Sequence, residues 1–183
     1  MSSFLQGPAF PGKVYHSGEE AVDDIYNKAS HVFAVIARDM NANVVVLEAK
    51  VANHSIVGIE PYWLLLEASY QRNKPNHREP LNMLDHQAYG FESQRVHDRE
   101  WIVKMSHLND YPVTVRLEPD GSVNAYINLD NQLCMVHHVW VKVGKALHLF
   151  PRVDSVEVVG RTRDHKEIRK CVFDHKKHKK HQQ

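Results

Sequence analysis

The segment EPLNMLDHQAYG, residues 79–90, carries the side chains of this sequence that are best suited to acid–base chemistry. Asp85, His86 and Tyr89 fall within about one turn of a predicted helix, which a proline near the start and a glycine at the end would delimit. Side chains at i and i+1 diverge on a helix, so Asp85 can meet Tyr89 but does not pair with His86. An aspartate beside a tyrosine is not a nucleophile with its base. The spacing therefore favours a short structural helix over a catalytic site.

The apolar residues of this segment predict the buried face of the helix. Leu81, Leu84 and Ala88 recur at i, i+3 and i+7, which places them on one side of a helix of about two and a half turns. We expect all three to face the core, so that the helix closes one end of a sheet.

Two stretches combine cysteine with histidine, which are the usual zinc ligands. In CMVHH, His137 and His138 are neighbours in a predicted strand and should point to opposite faces, while Cys134 and His138 share a face about 13 Å apart. Near the C-terminus, Cys171 and His175 lie among lysines, whose charge opposes cation binding. We predict neither a metal site nor a cofactor, and we expect the histidines of CMVHH to be buried or half-buried.

Polar residues on the predicted strands form another candidate site. Arg38 and Arg116, together with His86 and Tyr89, would line a pocket if the strands closed into a barrel with a polar interior. Alternation with apolar residues places strand side chains such as these on the solvent side instead. Catalytic signatures such as GxSxG, a Walker loop or HExxH do not occur. A small-ligand-binding β-barrel, or an enzyme with its site near residues 79–90, stays open as the alternative.

The elements that would position these residues are mainly strands. β-Branched and apolar stretches recur from residue 31 to about residue 160, and Asp120-Gly121 predicts a hairpin between residues 111–118 and 122–129. Short strands with tight turns indicate an antiparallel β-sandwich or barrel of about eight strands. The helical elements are one short N-terminal helix, which Ser17 would cap, and the inserted helix of residues 79–90.

Composition and charge divide the chain into three parts. Hydrophobic residues make up 43% and charged residues 25%, the two cysteines are too few for a disulfide framework, and no apolar run is long enough to span a membrane. These features predict a cytoplasmic protein. The net charge is −5 before residue 161 and +6 from there on. The predicted parts are an extended N-terminal arm, residues 1–17; a β-rich globular domain, residues 18–160; and a basic His/Lys-rich tail, residues 161–183.

Three stretches of the sequence, FAVIARDMNANVVVLEAK, EPYWLLLE and EPLNMLDHQAYGF, resemble the successive landmarks of the family called domain of unknown function 4833. The resemblance covers roughly residues 31–160, and the family has no assigned activity, so it implies a shared domain rather than a function. The matching residues are Arg38, Asn41 and Asn43 in the first landmark; Pro61 and Trp63 in the second; and Glu79, Pro80, Leu81, Ala88, Tyr89 and Gly90 in the third.

The charge asymmetry favours a binding function over a catalytic one. A basic tail attracts an acidic partner, of which an acidic protein surface is our first expectation and a polyanion such as RNA the second. We predict a non-catalytic structural or adaptor protein of an intracellular assembly, whose partner would be a cytoskeletal polymer or a ribonucleoprotein. The predicted contact residues are Lys176, Lys177, Lys179 and Lys180 in the tail, and Phe4, Leu5 and Phe10 in the arm.

Overall fold

The computed structural model of the protein describes residues 13–67, 77–144 and 152–175, and this part of the chain is mainly β. Its helices are α1 (Gly18–Lys28) and α2 (Met83–Tyr89). Its strands are β1 (Val32–Arg38), β2 (Val44–Ala52), β3 (Ser55–Leu65), β4 (His77–Pro80), β5 (Phe91–His97), β6 (Glu100–Met105), β7 (Val113–Leu117), β8 (Val123–Leu129), β9 (Gln132–Gly144), β10 (Arg152–Arg161) and β11 (Glu167–Asp174).

The eleven strands form one curled sheet that makes a half-barrel. The main path runs β4-β3-β2-β1-β9-β8-β7-β6-β5, and off this path β10 pairs with β9 and β11. Among the described strands, β1 and β9 run parallel, with Ile36 opposite Val139, and the other pairs are antiparallel. The predicted mainly β fold with two short helices is confirmed. The sequence did not predict the parallel pairing of β1 with β9, which joins strands β1 to β4 to strands β5 to β9.

The sheet has more strands than the eight or so that the sequence predicted, because some strands lack an apolar pattern. Strand β5 has the sequence FESQRVH, and six of its seven residues are exposed. An edge strand of this kind buries no face and so leaves no alternation to detect. The predicted hairpin is confirmed: β7 and β8 pair antiparallel, Gly121 takes a φ of 87°, and the Glu118 N–H donates to the Ser122 carbonyl at 2.8 Å.

Apolar side chains fill the inside of the half-barrel. One cluster takes in buried residues from β1, β2 and β3 and from β6 through β10, such as Phe33, Leu47, Met105 and Ile127. Because strands from both halves of the sheet contribute to it, this cluster lies inside the curl. The two halves also approach each other directly, since the Ile56 N–H donates to the Asp98 carbonyl at 2.7 Å.

Helix α1 covers part of the outer face. Its Ala21, Val22 and Ile25 are buried against a second apolar cluster on β1, β2 and β3, and the predicted short N-terminal helix is confirmed. Gly18 lets the helix start close to the sheet, because a Cβ on it would lie 2.6 Å from the Val44 side chain. Neither α1 nor α2, the helices of the described ranges, is long and apolar enough to cross a bilayer.

Helix α2 forms where the sequence predicted a helix, but it begins later. Pro80 ends β4 instead of opening the helix, and Asn82 is the N-cap. Leu81 is buried as predicted, whereas Leu84 is 48% exposed, so the prediction that it faces the core is wrong. Since α2 starts at Met83, the turn that faces the sheet carries Tyr89 and not Leu84.

Part of the segment that the sequence assigned to the basic tail belongs to the sheet. Strand β11 pairs with β10 along its length, and its Ile168, Val172 and Phe173 pack against the inner cluster. Charged and apolar residues are mixed in this strand without strict alternation, and the net charge of the segment concealed the apolar ones. The rest of the tail, residues 176–183, and arm residues 1–12 lie outside the described residues.

Candidate functional site

Stretches that are far apart in the sequence meet at helix α2. The guanidinium carbon of Arg38, at the end of β1, lies 4.4 Å from the ring centroid of Trp63 on β3. The ring of Tyr89 meets that of Trp63 edge-on, at a centroid distance of 5.3 Å. Each of the three landmarks of the resemblance contributes one of these residues. We call Arg38, Trp63, Asp85 and Tyr89 the α2 corner.

The carboxylate of Asp85 fastens α2 in place. One oxygen, Oδ2, accepts hydrogen bonds from the Trp63 Nε1–H at 2.9 Å and from the Asn82 N–H at 3.2 Å. The Asn82 side chain in turn accepts from the Leu84 and Asp85 N–H groups, which completes a capping box. These bonds favour the structural helix over an acid–base pair of Asp85 with Tyr89.

The structure brings together two of the four residues predicted for a ligand site. Arg38 and Tyr89 both contact the Trp63 ring region, with the Arg38 guanidinium carbon 6.0 Å from the Tyr89 ring centroid. His86 is exposed on α2. Arg116 lies on β7, where its guanidinium donates to Glu100 at 2.8 and 3.0 Å and stands over the Tyr126 ring.

The polar atoms of the Arg38 side chain are only partly hydrogen-bonded. Its Nη2 donates to the Asn41 side chain at 3.3 Å, while its Nε is buried and has no hydrogen-bond partner. A cleft of about 590 Å³ runs beside the corner and is lined by Asp85, Tyr89, His107 and Val153 among others. The corner thus combines a cation, aromatic faces and an adjacent cleft.

The predicted partner-binding residues cannot be placed in the same way. Phe4, Leu5 and Phe10 in the arm, and the four lysines at 176, 177, 179 and 180, lie outside the described residues.

A second polar cluster lies under α1, where a β-bulge in β9 brings two histidines to the same face. In the pairing of β9 with β10, His138 opposes Val159 and Val136 opposes Gly160, so His137 is the extra residue. The bulge shifts the alternation by one residue, because Val136 and Val139 both belong to the inner cluster. The prediction that His137 and His138 point to opposite faces is therefore wrong.

The two rings, which we call the histidine pair, form a chain of hydrogen bonds with two carboxylates of α1. The Nδ1 atoms of His137 and His138 are 2.8 Å apart. His137 Nε2 lies 2.8 Å from Asp23 Oδ1, and His138 Nε2 lies 2.7 Å from Glu19 Oε1. As expected from the sequence, the rings are not solvent-exposed: His138 is 4% exposed, and His137 is half-buried.

Two arginines from the neighbouring strands complete this cluster. Arg169 on β11 donates to Glu19 at 2.7 Å and to Glu157 at 3.0 Å. Arg161 at the end of β10 lies 3.6 Å from Asp23. The helix is thereby connected through charged groups to three strands, β9, β10 and β11.

The electrostatic setting keeps the carboxylates ionised. Burial raises the pKa of Glu19, but the hydrogen bonds with Arg169 and His138 outweigh it, so the pKa is lowered overall. The hydrogen bond with His137 lowers the pKa of Asp23. Burial also lowers the pKa of His138, against the opposing effect of its bond to Glu19.

A cleft of about 270 Å³ adjoins the histidine pair, lined by Asp23, Tyr26, Asn124, His137 and Arg161 among others. Within residues 13–67, 77–144 and 152–175, no three histidine, cysteine or carboxylate side chains are placed to hold a metal ion. The sequence did contain one signal of the bulge. Gly160 lies inside a strand, and a Cβ there would come within 2.8 Å of the Cys134 Cβ.

The comparison with protein families gives a match over most of the chain. Residues 33–170 match the family described as Domain of unknown function (DUF4833). The chain belongs to this family. No match was found among the curated proteins or among the solved structures.

The region that matches the DUF4833 family contains the whole α2 corner but only part of the second polar cluster, which lies under α1. The whole α2 corner lies within residues 33–170, and so do His137, His138, Arg161 and Arg169. The two α1 carboxylates of the second cluster, Glu19 and Asp23, precede the matched region. The match also extends past residue 160, in agreement with the place of β11 in the sheet.

Proposed function

We propose that the protein is a non-catalytic adaptor of an intracellular assembly, cytoplasmic and associated with a cytoskeletal polymer or a ribonucleoprotein. The β half-barrel is its rigid body, and the arm and basic tail bind an acidic partner. The observation that carries the proposal is the filled interior. The inner cluster consists of apolar side chains, whereas a ligand-binding barrel needs a concave site with convergent polar groups.

The ion pairs of the domain support this assignment, because several charged side chains on the sheet are paired with each other. Glu48 pairs with Arg78, and Glu100 pairs with Arg116. The carboxylates of α1 contact the histidine pair and the two arginines beside it. From residue 161 onward, Arg161, Arg169 and Lys170 are also paired within the domain. The lysines at 176, 177, 179 and 180, which no acidic residue accompanies after Asp174, are then the charges that we propose for an acidic partner.

The arm and the tail are also attached to neighbouring elements of the domain. Helix α1 follows the arm, and β11 precedes the last residues of the tail. The Glu19–Arg169 bond of 2.7 Å joins the two elements directly. Both extensions are therefore attached to one body, which suits a protein that links partners.

Binding to a glutamate-rich peptide tests the proposal. The test variant replaces Lys176, Lys177, Lys179 and Lys180 with glutamine. A control variant makes the same charge change within the domain, at the exposed residues Lys50, Lys104, Lys142 and Lys166. Four exposed ion pairs of roughly 0.2–1 kcal/mol each predict a loss of about 1–4 kcal/mol for the tail variant. The control should lose much less, and equal losses in the two variants would refute a tail-specific function.

RNA serves as the second probe. If a single-stranded RNA such as poly(U) is the better ligand, the slope of log affinity against log salt should become shallower by about 3 in the tail variant, from roughly 0.7 for each of four phosphate contacts.

A chain truncated after His175 should keep its unfolding midpoint, because β11 ends at Asp174. Truncation that unfolds the domain would instead make the tail part of the fold.

The α2 corner supports a second candidate, a small-ligand site. The buried and unpaired Nε of Arg38 is the observation that favours it. A small anion would be the matching ligand, with inorganic phosphate and acetate as probes. Chemical-shift changes at the Trp63 indole that saturate with either anion, and that disappear in Arg38→Gln, would support this candidate. Shifts that grow linearly or persist in the variant would exclude it.

A further inference from the structure

The protonation state of the histidine pair follows from counting the hydrogens that its contacts need. Three hydrogen bonds run in series from Asp23 through His137 and His138 to Glu19. Each bond needs one hydrogen. Two neutral imidazoles carry only two ring hydrogens between them, and an ionised carboxylate carries none. With both rings neutral, one of the three contacts would place two lone pairs face to face.

The opposite extreme also fails. Two imidazolium rings carry four hydrogens, and both Nδ1 atoms would then be donors. Donors cannot face each other at the 2.8 Å that separates the two Nδ1 atoms. One extra proton on the pair is the state in which every contact of the chain is a hydrogen bond.

We propose that His137 and His138 share one extra proton, and that this proton latches helix α1 to the sheet. The latch goes beyond the proposed adaptor function and does not depend on it. It would respond to pH, because either losing the shared proton or gaining a second one breaks a bond in the series.

The surrounding charges match a single extra proton. Glu19 and Asp23 face the pair from α1, Arg161 and Glu157 belong to β10, and Arg169 reaches it from β11. With three carboxylates, two guanidinium groups and one extra proton, the cluster is electrically neutral. A further neighbour is Tyr26, whose hydroxyl donates to the His137 carbonyl at 2.8 Å and anchors α1 to the bulge.

The sign of the pH response follows from linkage. Histidines of the unfolded chain bind protons as the pH falls below about 6.5. A second proton would make both Nδ1 atoms donors that face each other at 2.8 Å, and burial lowers the pKa of His138. For both reasons the folded pair resists a second proton. The unfolded state then binds more protons than the folded state, and the stabilisation is lost as the pH falls. On the alkaline side the shared proton leaves and one bond is lost. The latch is strongest between these limits.

Long-range ¹H–¹⁵N correlation of the full chain, labelled on histidine nitrogens, tests the proposal near pH 7. Single substitutions His137→Gln and His138→Gln identify the signals, and His86→Gln on exposed α2 serves as the control. We expect three protonated ring nitrogens and one bare nitrogen in the pair. Two bare nitrogens, or four protonated ones, would overturn the proposal.

A second measurement keeps the test valid if a variant folds poorly. Asp23→Asn changes an exposed carboxylate, and it should move the His137 signals toward the neutral form while the His86 signals stay in place. In addition, the difference in urea midpoint between the wild type and His137→Gln should pass through a maximum near neutral pH. A difference that does not vary with pH would contradict a shared proton.

Discussion

Helices α1 and α2 are fastened to the same sheet by different forces. Helix α1 is connected through ionisable groups, from Glu19 and Asp23 to the histidine pair and two arginines. Helix α2 is fastened by the edge-on contact of Tyr89 with Trp63 and by a capping carboxylate. Attachment by aromatic packing should be insensitive to pH, whereas the attachment of α1 through histidines, as proposed above, should depend on their protons.

Apolar burial sets how far each attachment can be weakened. Ala21, Val22 and Ile25 hold α1 to the outer face in addition to its charges. On α2 itself, by contrast, Tyr89 is the buried residue. Loss of the charged contacts should loosen α1 without releasing it, while loss of the aromatic contact should release α2.

Substitution of Trp63 should destabilise the protein more than any other change proposed below. Trp63→Ala removes a side chain that is 8% exposed and that contacts Arg38, Asp85 and Tyr89. We expect the free energy of unfolding to fall by about 3–5 kcal/mol in urea titrations, as is typical of deleting a buried aromatic residue. Trp63→Phe, which keeps a ring but loses the indole donor, should cost about 1.5–3 kcal/mol, the usual range for a hydrogen bond to a charged group. Equal costs for the two variants would contradict the role of ring packing.

A smaller effect is expected at Glu19. Glu19→Gln removes the charge that joins His138 to Arg169, and the free energy of unfolding should fall by about 1–3 kcal/mol near pH 7. Glu20→Gln, one residue along the same turn, should cost about 0.5 kcal/mol or less, as is usual for surface substitutions. Because the pKa of Glu19 is lowered, its contribution is present above about pH 4.3 and is lost as the pH falls through the folded-state pKa. If the free energy of unfolding fell no more for Glu19→Gln than for Glu20→Gln, the ionic attachment of α1 would be contradicted.

The sequence predicted the α2 corner better than the histidine pair. The proline, glycine and apolar spacing of residues 79–90 predicted a helix, and α2 forms there, although Pro80 belongs to β4 and Leu84 is exposed. Each of the three landmarks also contains one residue of the contact among Arg38, Trp63 and Tyr89. The position of α2 on the sheet was harder to predict, since the cap at Asn82 and the bond from Trp63 to Asp85 decide it. Such a bond crosses 22 residues, and no local pattern specifies it.

The histidine pair could not be predicted because it depends on a single extra residue in one strand. Strict alternation separates His137 from His138, and only the bulge opposite Gly160 brings them together. Their partners lie on α1, more than a hundred residues earlier in the chain. The extent of β11 was missed for a different reason, since basic residues hid the apolar ones among them.

The smallest expected effect is at Leu84, where sequence and structure disagree. Leu84→Ala changes a side chain that is 48% exposed, and the free energy of unfolding should change by about 0.5 kcal/mol or less. The matched substitution is Leu81→Ala, at a leucine that is 7% exposed and packed in the inner cluster, where about 2–5 kcal/mol is expected. Similar losses of stability at both leucines in urea titrations would indicate that Leu84 faces the core, as the sequence predicted, and would contradict the structure.

The most direct test of the contrast between the two helices is amide hydrogen exchange of the full chain at several pH values, corrected for intrinsic exchange rates. We expect the protection of α1 relative to α2 to be greatest near neutral pH. It should fall at least about tenfold on either side, because a charged hydrogen bond contributes roughly 1.5–3 kcal/mol and every 1.4 kcal/mol corresponds to about tenfold. Protection of the two helices that rises and falls together, or a ratio that stays constant with pH, would contradict the proton-dependent attachment of α1.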